Sequence, residues 1–131
     1  MLARIVLNLA RNVFQAYAVL WLLRPRKASS MSDVLKLFYL NFLMLDEKHV
    51  EIVRLSDNEL VTRCRNPCPI LELSQRLRVD TRVSCRIVSE PVCKYVLKKL
   101  NPKLVFERNY EHIRPYADSC EERIYFESRQ A

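Results

Sequence analysis

Glycine is absent from all 131 residues. Loops that cradle phosphates, and the tight turns of dinucleotide sites, need backbone that approaches a ligand without a Cβ, so nucleotide sites of the Walker and Rossmann kinds are set aside at the outset. Internal repeats and low-complexity tracts are also missing, which removes solenoid and fibrous architectures. A small-residue cleavage site does not follow the apolar N-terminal stretch, and the five cysteines are an odd number. Both features argue against a secreted disulfide framework and for free thiols in a reducing, cytoplasmic setting. The two histidines, His49 and His112, have no triad partners visible in the sequence.

The composition fits one folded domain spanning residues 1–131. Half of the residues are hydrophobic and 28% are charged. That mixture buries enough apolar surface to offset the entropy of ordering, and the length suits one core. The net charge of +7 is spread along the chain and interleaved with glutamate. It reads as a solvated mixed surface rather than a basic patch.

Residues 2–23 place Arg4, Asn8, Arg11, Asn12 and Gln15 at helical spacing on an otherwise apolar helix. A membrane span would carry Arg11, Asn12 and Gln15 at its centre, and a central charge costs about 2.5–3.5 kcal/mol on insertion scales. The segment is therefore expected to pack against protein. Pro25 ends it, Ser29, Ser30 and Ser32 offer N-caps, and a second helix, apolar on nearly every face, is expected to run to about Asp46. Residues 1–46 thus carry more apolar surface than a small sheet can cover, and a homodimer built on these helices is the expected partner arrangement.

From His49 the period becomes two, giving a β-hairpin around Ser56–Glu59 that ends at Cys64. Pro69 suits the first position of a helix through Leu77, and Asp80 caps another from Thr81 that Pro91 bends before it finishes near Leu100. Alternation returns at 103–110 and 122–126. The expectation is an α+β fold: two apolar helices, a hairpin, a helical middle and a second hairpin, the strands forming one antiparallel sheet. Residues 49–128 would form its cysteine-containing core.

The thiols are the principal carriers of chemistry. Cys64 lies between Arg63 and Arg65, and Cys68 precedes Pro69 at a helix start. Nearby cations and helix N-termini lower a thiol pKa, which makes Cys64 and Cys68 the candidate catalytic nucleophiles. Zinc is the possible cofactor, with Cys64, Cys68, Cys85 and Cys120 as candidate ligands and the Cys64-x3-Cys68 spacing suited to half of a tetrahedral site. Candidate ligand-binding residues are Cys85, Arg114, Tyr116, Asp118, Cys120 and Glu122. Arg114 and Tyr116 are placed to close over a small carboxylate. Of Glu121 and Glu122, strand alternation lets one share a face with Cys120.

The run Thr62-Arg63-Cys64-Arg65-Asn66-Pro67-Cys68-Pro69, then Cys85 on a helix, Asn101-Pro102 before a strand, and Asp118-Ser119-Cys120-Glu121-Glu122 resembles the L-2-amino-thiazoline-4-carboxylate hydrolase family. It is more distantly similar to 4-vinyl reductase-type ligand-binding domains. The resemblance covers residues 49–128. It implies that Cys64 or Cys68, Cys85 and Cys120 converge on one pocket, used for ring-opening hydrolysis of a small cyclic thioimidate or for binding a small molecule. Two alternatives come from other classes. Ile70–Asp80, followed by Arg82 and Arg86, resembles a helix-turn-helix whose wing would be residues 103–126, which implies DNA as partner. A structural dimer without ligand is the other.

Overall fold

A computed structural model describes residues 2–127. Ser128, the far boundary expected for the core, lies outside the described residues. Helix α1 spans Leu2–Trp21, and α2 spans Met31–Val34 and continues as a π-helix over Leu35–Phe42. Strands β1 (Val50–Leu55) and β2 (Glu59–Cys64) follow, then helices α3 (Pro69–Leu77), α4 (Thr81–Ile87) and α5 (Ser89–Leu100). Strands β3 (Leu104–Arg108) and β4 (Cys120–Phe126) complete the α+β fold.

The four strands form one antiparallel sheet in the order β1-β2-β4-β3. The second strand pair therefore inserts β4 beside β2 and puts β3 at an edge. Strand β1 is the other edge, exposed along nearly all its length, with a register irregularity between Ile52 and Arg54. Such an irregularity twists an edge away from further pairing.

Two local differences from expectation have physical causes. The second helix ends at Phe42 rather than Asp46, because its turns widen to i→i−5 bonding, as in Leu43 N–H to the Phe38 carbonyl. Widened turns shift which side chains face inward, and here they bury Phe38, Tyr39 and Phe42. Pro91 does not bend a helix: it occupies the first turn of α5, where no intrahelical N–H is required of it. The chain instead breaks one turn earlier, at Val88 between α4 and α5. Cys120 begins β4, as the sequence leads one to expect.

The core joins Val92, Cys93, Val96, Leu97 and Leu100 of α5 to Leu60, Leu104, Phe106 and Ile124 of the sheet. Phe38 and Phe42 reach the same core from the π-helix. Phe42 also ties α1 down, since Phe14, Tyr17 and Trp21 all pack on its ring. The Tyr17 hydroxyl donates to the Phe42 carbonyl at 2.5 Å, satisfying an orphan acceptor at the helix end.

Candidate functional site: a cysteine-lined cavity

Strand alternation sends Leu60, Thr62 and Cys64 of β2 to the helix-covered face, together with Phe106 and Arg108 of β3 and Cys120, Glu122 and Ile124 of β4. Register aligns them in rows. Leu60, Ile124 and Phe106 make an apolar row inside the core. Thr62, Glu122 and Arg108 make a polar row, and Cys64 opposite Cys120 ends the ladder with a row of thiols.

The polar row is a closed network. Arg108 donates to Glu122 Oε2 from Nε at 3.1 Å and from Nη2 at 2.5 Å, and its Nη1 reaches Ser89 Oγ. The Tyr39 hydroxyl donates to Glu122 Oε1 at 2.8 Å and accepts from Thr62 Oγ1 at 2.9 Å. Arg108 and Glu122 are nearly inaccessible, their side chains 7% and 9% exposed. Among the described residues no buried side-chain polar atom is left without a partner. Burial, reinforced by the facing carboxylate, pushes the Tyr39 phenol well above its ordinary range, so it remains a donor.

Beside this network opens a cavity of about 860 Å³. Its walls are mostly apolar, supplied by α1 (Val13, Phe14), the π-helix and following turn (Phe42, Leu43), and α3 (Ile70, Leu73). All five cysteines line it, and so do Arg108, Arg114 and Glu122. The volume falls within the range of small-molecule sites, which pair apolar walls with few convergent polar groups.

The expected site residues divide accordingly. Cys64, Cys68, Cys85, Arg114, Cys120 and Glu122 share the cavity. Tyr116 and Asp118 do not line it. The exposed Tyr116 ring lies under the Arg82 guanidinium, 4.5 Å from its carbon. Asp118 pairs on the surface with Arg65 at 3.3 Å and with His112 at 3.4 Å. Their loop turns them outward, while the neighbouring Arg114 turns in. Its Nε lies 3.2 Å from Cys120 Sγ, and its Nη1 donates to the Asn66 carbonyl at 2.6 Å. Arg114 forms no ion pair with a described residue.

The thiols differ in state. Cys64 is not activated by Arg63 and Arg65. Those side chains point to the opposite face, Arg63 pairing with Glu121 and Arg65 with Glu51 and Asp118. Burial first, and then the Glu122 charge, push the Cys64 thiol up to about 12. Burial raises Cys85 to about 11 and Cys93 to about 12. Cys68 and Cys120 are the partly exposed pair. Among the described residues no three His, Cys, Asp or Glu side chains are placed to hold a metal ion. The expected zinc set of Cys64, Cys68, Cys85 and Cys120 is spread over sheet, loop and helix walls of one large cavity rather than gathered at a point.

Arg108, Tyr39 and Cys93 complete the site, and sequence reasoning missed them. For Arg108 a signal existed: it continues the inward Leu104, Phe106 alternation of its strand. The helix-turn-helix reading meets two obstacles. Strand β4 is interior to the sheet, bonded to β2 as well as β3, so residues 103–126 are not a separate hairpin. Arg82 and Arg86 are engaged within the chain, over the rings of Tyr116 and Tyr110. No described helix is long and apolar enough to cross a membrane. In comparisons with known proteins the chain matches no family model, no curated protein and no solved structure, so the cavity's own chemistry carries the functional reading.

Proposed function

We propose that this protein binds a small amphiphile, with an apolar body inside the cysteine-lined cavity and an anionic head, a carboxylate in the simplest case, at Arg114. One observation carries the reading: a largely apolar cavity of about 860 Å³ whose lining includes a guanidinium with no carboxylate partner among the described residues. The second cavity arginine, Arg108, is already neutralised by Glu122, so it shapes the wall and does not compete for an anion. Binding is preferred to hydrolysis because three of the five thiols are held protonated by burial. Cys68 and Cys120 report on occupancy through their partial exposure.

The test is calorimetric titration with decanoate and, in parallel, decanol. The carboxylate is expected to bind the native protein more tightly, and Arg114→Gln to weaken it by about 10- to 100-fold, the worth of a hydrogen bond to a charged group. Leu73→Trp, which narrows the cavity, is expected to weaken binding of both. Bound decanoate should also slow modification of Cys68 by a disulfide reagent. Failure of both ligands to bind, or binding left unchanged by both Arg114→Gln and Leu73→Trp, would overturn the proposal.

A further inference from the structure

Cys64 is the last residue of β2 and Cys120 the first of β4, and the register sets them directly opposite each other. Backbone bonding decides what kind of pair they make. The Arg65 N–H bonds the His49 carbonyl on the β1 side, while Glu121 gives its N–H to His112 and its carbonyl to Asn109, away from β2. Successive residues of a strand turn their backbone groups to opposite sides, so Cys64 and Cys120 aim theirs at each other. In such a hydrogen-bonded pair the Cα atoms are about 5.5 Å apart and both side chains stand on one face, here the helix-covered one. That separation lies within the roughly 4.4–6.8 Å that a disulfide spans. Both thiols are free.

We propose that Cys64 and Cys120 are a site of reversible oxidation, closing to a cross-strand disulfide in the wall of the cavity. The other thiols sit on separate elements and share no register position: Cys68 precedes α3, Cys85 lies in α4 and Cys93 in α5. The two members of the pair have different parts. Cys120 is partly exposed, whereas Cys64 is 5% exposed. Arg114 directs its backbone N–H and its Nε at the Cys120 sulfur, at 3.5 and 3.2 Å, and donors of this kind favour a sulfur that carries negative charge. Cys120 is therefore the thiol that meets the oxidant, and Cys64 the one that resolves the intermediate. With glutathione disulfide as oxidant, the Cys120 thiolate attacks one glutathione sulfur, forming a mixed disulfide and releasing one glutathione. The Cys64 sulfur then attacks the Cys120 sulfur and releases the second. Two cysteine thiols are oxidised, one glutathione disulfide is reduced, and the two protons that the cysteines lose end on the two glutathione thiols. Burial holds Cys64 protonated, up to about 12, which makes its attack the slow step.

Strain makes the bond reversible. Opposed residues of a hydrogen-bonded pair have Cβ atoms toward the wide end of about 4.5–5.5 Å, and a disulfide needs about 3.5–4.5 Å. Closure draws the two strands together, and a strained disulfide is readily reduced. The β2–β4 ladder ends at this pair, so the movement disturbs no pairing beyond it. The inference does not rest on what the cavity binds.

The reduced full chain, incubated with glutathione disulfide and digested, is expected to yield Cys64 and Cys120 in one cross-linked fragment that dithiothreitol separates. Cys68→Ala, which removes the other partly exposed thiol, should form the same cross-link and lose only the mass of two hydrogen atoms. Cys64→Ala should instead accumulate a glutathione adduct on Cys120, and Cys120→Ala should form no cross-link. The linkage in the native chain is read without any variant, so a variant that fails to fold does not remove the test. A cross-link between any other two cysteines, a glutathione adduct that persists on Cys120 of the native chain without cross-linking, linkage that forms only in urea, or no oxidation at all would overturn the inference.

Discussion

Glu122 is the residue on which the inner face of the sheet depends. It answers Arg108 with one oxygen and accepts the Tyr39 hydrogen bond with the other, at a depth where both side chains are under a tenth exposed. Breaking such a pair from one side leaves the other charge buried and alone, at a cost of about 3–5 kcal/mol, whereas replacing both partners by apolar groups is often neutral. Glu122→Ala should therefore lower the urea midpoint sharply, and Arg108→Met with Glu122→Leu should recover most of the loss. A single substitution costing under about 1 kcal/mol would mean that water or a shifted Tyr39 compensates Arg108. Tyr39→Phe is the milder perturbation, expected to cost about 1–3 kcal/mol, since it removes two hydrogen bonds, one to Glu122 and one from buried Thr62, and leaves the ion pair intact.

At the scale of elements, a chain without glycine has to turn with side chains that resist turning. Arg78 ends α3 in the left-handed region at φ 56°, and Met44 follows the π-helix at φ 53°. Glycine is the usual residue at such a helix end because a Cβ costs roughly 1–2 kcal/mol there. Arg78→Gly should stabilise the protein by about 0.5–1 kcal/mol after the added freedom of the unfolded chain is subtracted, read as a raised urea midpoint. A loss of stability would show that the Arg78 side chain makes a contact worth more than the backbone relief.

The same scale shows what local pattern can and cannot convey. The hairpin ending at Cys64, the Pro69 helix start and the helix end near Leu100 are legible because each depends on a few adjacent residues. The π-helix was not, since widening a turn is decided by where Phe38, Tyr39 and Phe42 find room against α1 and the sheet. The site was half legible. Alternation places Cys120 and Glu122 on one face, and the same rule applied to Leu104, Phe106 and Arg108 would have found the partner of Glu122. That Tyr116 faces outward while Arg114, two residues earlier, faces the cavity follows from the path of an irregular loop, for which no periodicity exists.

For the whole molecule, the state of the thiols links cavity to stability. Cys64, Cys85 and Cys93 are held protonated by burial, up to about 12, 11 and 12, whereas a thiol in the unfolded chain titrates near 8.5. Between those values the unfolded chain has released protons that the native state keeps. The unfolded state then binds fewer protons, and stability must fall as pH rises. The contribution of these groups is complete below about pH 8.5 and is lost progressively toward pH 11–12, with a ceiling of ~1.4 kcal/mol per pH unit for each thiol. On the acid side, ion-paired or hydrogen-bonded Glu59, Asp80, Asp118 and Glu121 have carboxyls held below their ordinary values, so a shallower loss is expected as pH falls through about 4. A urea series across pH should show a plateau from about 5 to 8.5 and a steeper alkaline decline. Between about pH 8.5 and 10, below the range where the raised Tyr17, Tyr39 and Tyr110 add to it, Cys93→Ala should flatten that decline by roughly a third, because it removes one of three comparable thiols, even though the lost sulfur lowers the plateau. An alkaline limb of unchanged slope in Cys93→Ala would mean that Cys93 ionises without unfolding, which requires water to enter the cavity as far as α5.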